Sequence, residues 1–245
     1  MERRVKRPVD TEATSEKENG ATRLAIVDDH DLAREGLKDM LADEPDITVV
    51  GEAVNGREAL SLCSTLQPDL VLMDVRMPTM DGLAATKVIK QKHPEISILM
   101  VTMHENPDYL LEALKAGASG YVLKDAAQNE IITAVRRVRN GDSPLDPTLA
   151  TRLLRRLAVE GWEGPDAEGD VPVEPLTRRE LEVLGLMKLG RTNRQIAEEL
   201  AINLGTAKNH VEHIISKLGV SDRTQAVVKA LRLGILDFSN RPGEP

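Results

Sequence analysis

Residues 24–31 read LAIVDDHD, an apolar run of four residues that leads directly into two adjacent carboxylates. A short apolar run without polar alternation is typical of a strand that is buried on both faces. Two neighbouring carboxylates at the end of such a strand repel each other unless a cation lies between them. The stretch therefore predicts a buried strand that brings Asp28 and Asp29 to a cation site.

The same kind of run occurs five times, and stretches with helical spacing lie after each one. The predicted strands are 24–29, 47–53, 69–74, 96–102 and 119–124, and the predicted helices are 32–42, 56–67, 81–92, 107–117 and 127–141. Strands that alternate with helices predict an α/β fold, a doubly wound five-stranded parallel sheet. Ligands of such sheets bind at the carboxyl ends of the strands.

The C-terminal part has a different, all-helical pattern. Thr177 with Glu180, and Thr192 with Gln195, have the spacing of capping boxes, which begin helices. Asn203 and Ser221 are predicted to be the N-caps of two more helices. The predicted organisation is a flexible tail (1–22), an α/β domain (23–141), a linker with one short helix (142–175), a four-helix domain (176–238) and a C-terminal tail (239–245).

Composition favours a folded protein without membrane contact. The 245 residues are 41% hydrophobic and 29% charged, which suits ordinary cores in two domains. There is no apolar run of membrane-spanning length, no secretory hydrophobic region in the first residues and only one cysteine, Cys63. We therefore expect a cytoplasmic protein.

Charge is distributed unevenly along the chain, whose net charge is −8. From residue 176 onward, 11 Lys and Arg outnumber 8 Asp and Glu, whereas the preceding residues have 21 against 32. An acidic module is thus joined to a mildly basic one, and nucleic acid would bind to the basic module.

Five polar residues end four of the predicted strands and should meet in one pocket: Asp28, Asp29, Asp74, Thr102 and Lys124. This set suits phosphoryl transfer to a carboxylate, with Mg²⁺ as the cation, because Mg²⁺ prefers carboxylate, water and phosphate oxygens. Asp74 would be the nucleophile, and Lys124 would pair with a phosphate oxygen. The competing interpretation is that each residue is an ordinary loop residue or cap.

Residues 203–220 predict a DNA-reading helix after a short helix and a tight turn, because an apolar stripe faces inward and a polar, mostly basic face points outward. Lys208 suits guanine and Asn209 suits adenine, whereas Thr206, His210 and Lys217 are better placed to contact phosphates. The DNA-contact candidates are Thr206, Lys208, Asn209, His210, His213 and Lys217. The competing interpretation is a solvated face in a small helical bundle.

Four motifs closely resemble the receiver domain of two-component response regulators: VDDHDLAREGL, LVLMDVRMPTMDGLAAT, VTMHE and ASGYVLKDA. The resemblance covers about residues 23–140 and implies a flavodoxin-like fold. It also implies that a sensor histidine kinase phosphorylates Asp74 and that Asp28, Asp29 and Asp74 hold Mg²⁺.

Two further roles come from this resemblance alone. The backbone carbonyl of Arg76 would complete the metal site. Tyr121 would be a switch residue that swings inward as Thr102 moves onto the phosphate. Arg76 and His104 occupy positions that tune phosphate lifetime in receivers, and neither readily orients a water molecule. Met103 would narrow access to the phosphate. We therefore predict that Asp74 loses its phosphate slowly.

Residues 176–230 closely resemble the LuxR-type helix-turn-helix, and with the receiver they resemble regulators of the NarL/FixJ family. This resemblance implies that Lys208 and Asn209 read bases in double-stranded DNA. Glu212 departs from the family because this position is often basic, which leaves the preferred DNA sequence open.

The combined prediction is a transcriptional regulator and not an enzyme, with chemistry limited to gain and loss of phosphate on Asp74. A four-helix unit reads one half-site, so we expect a homodimer when the protein is phosphorylated or bound to DNA. Phosphate would release mutual masking of the two domains or create a receiver dimer.

Three rival functions are considered. A phosphorylation-independent DNA-binding protein would use the receiver only as a dimerisation scaffold. A phosphohydrolase would generally place a second Asp two residues after the nucleophile, where this chain has Arg76. A small-molecule sensor would need a different N-terminal domain.

Overall fold

The N-terminal unit is a parallel sheet with helices on both faces. A computed structural model of the chain describes residues 20–103, 107–142 and 174–236. The five strands have the order β2-β1-β3-β4-β5, and every adjacent pair is parallel. The elements are β1 (Thr22–Val27), α1 (Asp31–Ala42), β2 (Ile47–Ala53), α2 (Gly56–Leu66), β3 (Leu70–Asp74), α3 (Gly82–Lys92), β4 (Ser97–Thr102), α4 (Pro107–Ala116), β5 (Gly120–Leu123) and α5 (Gln128–Arg139). The predicted fold class is confirmed.

Alternation along the strands divides the core into two layers. Ala25 and Val27 of β1 pack with residues of α2, α3 and α4 on one face of the sheet. Leu24 and Ile26 pack with residues of α1 and α5 on the other face. All four side chains are fully buried, as expected for a central strand covered by helices on both sides.

The C-terminal unit contains four helices among the described residues: α6 (Arg178–Lys188), α7 (Asn193–Glu199), α8 (Leu204–Leu218) and α9 (Arg223–Arg232). Both predicted capping boxes form, and the side chain of Asn203 caps α8. The predicted N-cap of the last helix is wrong by one residue. The Asp222 side chain, not that of Ser221, accepts from the Gln225 backbone N–H at 2.9 Å.

Several predictions fall outside the described residues. These are the tail before residue 20, the short helix predicted within 145–158, most of the linker and the tail after 238. The strand β1 begins at Thr22, one residue before the predicted start of the α/β domain. The remaining domain boundaries stay predictions.

The two units pack against each other through α4 and α9. Leu110, Leu111 and Leu114 of α4 belong to the same buried apolar cluster as the core of the C-terminal unit. Polar contacts continue the interface, because Ser119 Oγ donates to Asp222 at 2.9 Å and Thr224 Oγ1 donates to the Ser119 carbonyl at 2.9 Å. These polar contacts lie at the amino end of β5, at the edge of the sheet opposite its carboxyl edge.

Candidate functional site

The structure brings the predicted acidic residues together at the carboxyl edge of the sheet. Asp28 and Asp29 follow β1, and Asp74 is the last residue of β3. Carboxylate oxygens of Asp28, Asp29 and Asp74 and a ring nitrogen of His30 all lie within 4.8 Å of one another. Asp28 and Asp74 are nearly inaccessible, whereas Asp29 is partly exposed. These positions fit a pocket with one open side.

Lys124 is the cation that the structure itself places among these carboxylates. Its Nζ lies 2.6 Å from Asp28 Oδ2 and 3.1 Å from Asp74 Oδ2, and its side chain is 10% exposed. The Lys124 backbone N–H also donates to the Thr102 carbonyl at 2.8 Å, which ties the ends of β4 and β5 together. One ammonium therefore balances only part of the charge of three carboxylates.

The remaining charge gives the pocket the character of a cation site. Burial raises the pKa of Asp74, the positive charge of Lys124 opposes this shift, and the neighbouring Asp28 adds to it. Asp28 Oδ2 and Asp29 Oδ1 are buried and, among the described residues, lie 2.6 Å from Lys124 Nζ and 3.0 Å from His30 Nδ1 without a hydrogen bond of regular geometry. Clustered carboxylate oxygens are the ligands that Mg²⁺ prefers, so these residues fit the ion implied by the resemblance.

His30 lies at the rim of the pocket, beside the carboxylates. Its Nδ1 lies 3.0 Å from Asp29 Oδ1 and 3.6 Å from Asp28 Oδ1, although the side chain is 71% exposed. The direct sequence adjacency to Asp29 was the signal for this proximity.

A glycine controls how closely the next helix approaches the phosphoacceptor candidate. A β-carbon on Gly82 would lie 1.8 Å from the Asp74 carbonyl oxygen. The Gly82 N–H donates to the Val75 carbonyl at 2.9 Å, and the Asp81 side chain caps α3. Only glycine permits this approach, which fixes the backbone that carries the Asp74 carboxylate.

The guanidinium of Arg76 lies over the aromatic ring of Tyr109. Its guanidinium carbon is 5.1 Å from the ring centroid of Tyr109 on α4, and the guanidinium donates a hydrogen bond to the Tyr109 hydroxyl. This pair was missed in the sequence because 33 residues separate the partners. His104, the other predicted tuning residue, lies outside the described residues, and Met103 is exposed.

The two predicted switch residues lie on the adjacent strands β4 and β5. Thr102 is the last residue of β4 and is buried. Tyr121 is half-buried in β5, opposite Met100 in the strand register, and packs against both the sheet core and the cluster shared with the C-terminal unit. Tyr121 thus contacts both the apolar core of the receiver and the interface between the units.

The predicted DNA-reading helix is α8, and its two faces differ as expected. Ala207, Val211, Ile214 and Leu218 are buried, at most 3% exposed. Outward-facing positions are open to solvent, with Lys208, Asn209, Glu212 and His213 exposed and Thr206 and His210 half-buried. The receiver packs against α9 and not against the outward face of α8. Among the described residues, the receiver therefore does not cover the DNA-reading face.

Lys217 differs from the other DNA-contact candidates. Its Nζ lies 2.8 Å from Glu180 Oε2, a carboxylate that is nearly inaccessible. Burial alone would raise the pKa of Glu180, but hydrogen bonds from Lys217 and from Thr177 lower it overall. The ammonium of Lys217 therefore stabilises the domain, and any phosphate contact must compete with this ion pair.

Comparison with known proteins identifies both units. Residues 24–136 match the response regulator receiver domain, and residues 174–230 match the luxR family of bacterial regulatory proteins. The chain is 40% identical to the transcriptional regulatory protein DegU of Brevibacillus brevis over 86% of this chain and 93% of DegU. This chain belongs to the NarL/FixJ family of two-component response regulators.

Other relatives agree with this assignment. The transcriptional regulatory protein LiaR of Bacillus subtilis is 42% identical over 86% of this chain and 97% of LiaR. The crystal structure of a LuxR-family response regulator from Aurantimonas sp. SI85-9A1 is 34% identical, covers 56% of this chain and 98% of that chain, and has a TM-score of 0.52. The response regulator thus has a receiver domain and a LuxR-type DNA-binding domain.

Within the described residues, no helix has both the length and the apolar character needed to span a membrane.

Proposed function

We propose that Asp74 accepts a phosphoryl group from a phosphohistidine of a sensor kinase. In this step a carboxylate oxygen of Asp74 bonds to phosphorus, the P–N bond breaks and the histidine leaves with the electron pair of that bond. The observation that supports the proposal is that Asp74 is buried, lies 3.1 Å from Lys124 Nζ and is clustered with the carboxylates of Asp28 and Asp29.

The residues around Asp74 have distinct proposed roles. Asp28, Asp29, Asp74 and the Arg76 carbonyl hold Mg²⁺, which when bound offsets the negative charge of the incoming phosphoryl group. Lys124 pairs with a phosphate oxygen, and its bond with Asp74 is exchanged for that contact. Thr102 moves onto the phosphate and Tyr121 follows inward. No activity beyond this gain and loss of phosphate is proposed.

The DNA-binding domain is proposed to read one half-site of double-stranded DNA with α8. Lys208 and Asn209 contact base edges, His213 lies on the same exposed face, and Thr206, His210 and Lys217 contact phosphates. Since one domain reads one half-site, specific binding requires a homodimer. The proposed organisation is a receiver that begins with β1 at Thr22 and ends at 141, a linker at 142–175 and a DNA-binding domain at 176–238.

Phosphorylation is proposed to change the contact between the domains. Tyr121 packs on both the receiver core and the shared cluster, so inward movement of its ring removes apolar contacts from the α4–α9 interface. A modification that favours one of two packing arrangements shifts the population toward it. The freed α9 and receiver surfaces then become available for the dimer.

Intact-mass measurement tests the phosphoacceptor proposal. Wild-type protein is incubated with acetyl phosphate and Mg²⁺, beside Asp74→Asn and the exposed-surface control Asp39→Asn. We expect one phosphate adduct on wild type and on the control, lost without Mg²⁺ and absent from Asp74→Asn. Equal modification of Asp74→Asn would contradict the assignment.

DNA binding distinguishes the proposal from the scaffold alternative. Operator DNA is selected with phosphorylated protein, and affinity is then compared for wild type and Asp74→Asn with and without phosphodonor. Phosphodonor should strengthen binding by wild type only. Wild-type affinity of Asp74→Asn, unaffected by phosphodonor, would favour a receiver that serves only as a dimerisation scaffold.

A further inference from the structure

A cavity of about 540 Å³ lies between the receiver and the DNA-binding domain. Its receiver wall comes from the ends of α3 and α4, and its other wall comes from α9 and the turn that precedes it. The volume falls within the range of small-molecule sites, roughly 300–1,000 Å³. Neither the acidic pocket nor the outward face of α8 is part of this cavity.

The lining of the cavity is strongly basic. Lys87, Lys90 and Lys115 come from the receiver, and Lys229 and Arg232 come from α9. Among the described residues that line it, none is acidic. The docked domains therefore bring positive charges toward each other from opposite walls.

Part of this charge is balanced within the protein. Glu112 lies 3.1 Å from Lys115 and pairs with it. Lys90 donates to the carbonyl oxygens of Pro94 and Ile96 at 2.7 and 2.9 Å. Burial lowers the pKa of Lys90, although the nearby carboxylate of Asp222 opposes this shift. Neither Lys90 nor Lys115 is thus wholly available to a ligand.

Among the described residues, the other three cations lack such balance. Within the described parts of the chain, Lys87, Lys229 and Arg232 form no ion pair with a carboxylate. The C-terminal ends of α3, α4 and α8 border the cavity, and each carries about half a negative charge. Counted over the described residues alone, three unpaired cations exceed the roughly 1.5 negative charges of those helix ends, so the cavity keeps a positive surplus.

We infer that this cavity binds a small polyanion with at least two phosphate groups, which bridges the receiver and the DNA-binding domain. Phosphate oxygens accept charge-assisted hydrogen bonds from lysine and arginine, and two linked phosphates reach cations on opposite walls. A bridging anion removes the repulsion between the walls and stabilises the docked arrangement by binding to it selectively. Duplex DNA is excluded as the occupant by the size of the cavity.

Isothermal titration of the full chain with sodium tripolyphosphate tests this inference. The buffer is freed of divalent cations with a chelating resin, which keeps the acidic pocket from binding phosphate through Mg²⁺. We expect one site per chain, weakened by about tenfold or more in Lys87→Gln and likewise in Lys229→Gln, since each variant removes a charge-assisted contact. Circular dichroism and thermal unfolding confirm that each variant is folded.

Two controls separate this cavity from other basic surfaces. Lys92→Gln removes an exposed lysine from the same helix as Lys87 but outside the cavity, and Lys208→Gln changes the proposed DNA face. Both should bind tripolyphosphate like wild type. Loss of binding in Lys208→Gln alone, equal loss in Lys92→Gln, or full binding by Lys87→Gln and Lys229→Gln would overturn the inference.

A scattering measurement tests the bridging itself. Small-angle scattering of wild type with tripolyphosphate should show a smaller radius of gyration than the same protein with sodium chloride at equal ionic strength. Lys229→Gln should lose this difference. If tripolyphosphate binds but the radius of gyration equals that in sodium chloride, the anion does not bridge the domains and the inference is wrong. Because no step involves Asp74, Asp74→Asn should bind tripolyphosphate normally even if the phosphoacceptor proposal fails.

Discussion

Arg223 of α9 forms a buried ion pair with Asp142, the first residue of the predicted linker. Arg223 Nη1 lies 3.0 Å from Asp142 Oδ1, and the arginine side chain is 3% exposed. The same carboxylate oxygen accepts the Asn193 backbone N–H at 2.9 Å, at the start of α7. Asp142 thus joins the end of the receiver to two helices of the DNA-binding domain.

Replacing Asp142 with Asn should loosen the docked arrangement. Burial lowers the pKa of Arg223 to about 10, so it stays charged at neutral pH and depends on the carboxylate. Removing one partner of a buried pair costs about 3–5 kcal/mol, and separation of the domains relieves this cost by hydrating Arg223. We expect a larger radius of gyration in small-angle scattering.

The control for this change is Asp39→Asn, which alters an exposed carboxylate on α1. It should leave the radius of gyration at the wild-type value. An unchanged radius in Asp142→Asn would mean that the apolar α4–α9 contacts hold the domains together without the ion pair.

Replacing Gly82 with Ala should disable the phosphoacceptor pocket. The new β-carbon would lie 1.8 Å from the Asp74 carbonyl oxygen, so α3 or the end of β3 must move. Overpacking of this kind costs about 1–3 kcal/mol, and a displaced Asp74 cannot reach its partners. Denaturant unfolding should show the loss of stability, and intact mass should show little adduct after acetyl phosphate.

Gly36→Ala is the matched control, since a β-carbon there meets nothing within 4 Å in the helix α1. It should be at least as stable as wild type because alanine favours helix. Normal phosphorylation of Gly82→Ala would show that the pocket tolerates a shifted α3.

Replacing Lys217 with Met should destabilise the DNA-binding domain in a pH-dependent way. Without Lys217, the buried Glu180 carboxylate has no cationic partner. We expect the free energy of unfolding to fall by about 3–5 kcal/mol. The folded-state pKa of Glu180 is lowered, so its contribution is present above the unfolded pKa and is lost as pH falls through the folded pKa.

Urea unfolding at several pH values checks this prediction. The stability difference between wild type and Lys217→Met should be large at pH 7 and should shrink at acidic pH. Lys208→Met, which changes an exposed lysine, should unfold like wild type at both ends of the range. A difference that does not depend on pH would contradict the ion-pair explanation.

Arg76 should set a long phosphate lifetime. Its guanidinium is held by Tyr109 and lacks an oxygen that accepts a hydrogen bond from water. In Arg76→Asn the amide can orient a water molecule toward the phosphate, so decay should accelerate by about tenfold or more. Arg76→Ala, which has no such amide, separates this effect from simple opening of the pocket.

The measurement is the decay of labelled phosphate on Asp74 after removal of the phosphodonor. A wild-type lifetime of seconds would contradict the prediction of slow loss. If phosphate decays equally fast in Arg76→Ala and Arg76→Asn, the faster decay comes from easier access of water to the phosphate and not from orientation of a water molecule by the amide.

Cys63 should be unreactive in the native protein. The side chain is fully buried in α2, and burial raises the pKa of its thiol to about 11. The thiolate is the reactive form, so at pH 8 both access and ionisation oppose reaction. Ellman's reagent should react completely in denaturant and only slowly without it, and rapid native labelling would show local opening of α2.

Local features of this protein were predictable because they follow from periodicity and capping. The apolar runs located all five strands, and carboxylates that end strands one and three had to meet because parallel strands share one carboxyl edge. The N-cap of α9 was placed one residue early because Ser221 and Asp222 are both good caps. The spacing of Asp222 to Gln225 was the better signal.

Side-chain partners far apart in sequence were not predictable in the same way. Lys217 was assigned to DNA because it lies on a basic helix flank, and its partner Glu180 is 37 residues away. The Tyr109 ring beneath Arg76 was missed for the same reason. Periodicity specifies which face of an element is buried but not which side chain of another element covers it.

The sequence by itself determined the two domains, the acidic edge of the receiver sheet and the inward face of α8, because each depends on local pattern and parallel-strand geometry. Only the tertiary structure decided that α4 packs on α9, that Asp142 pairs with Arg223 and that five cations surround one cavity. Those features depend on complementarity between surfaces distant along the chain, which no local pattern encodes.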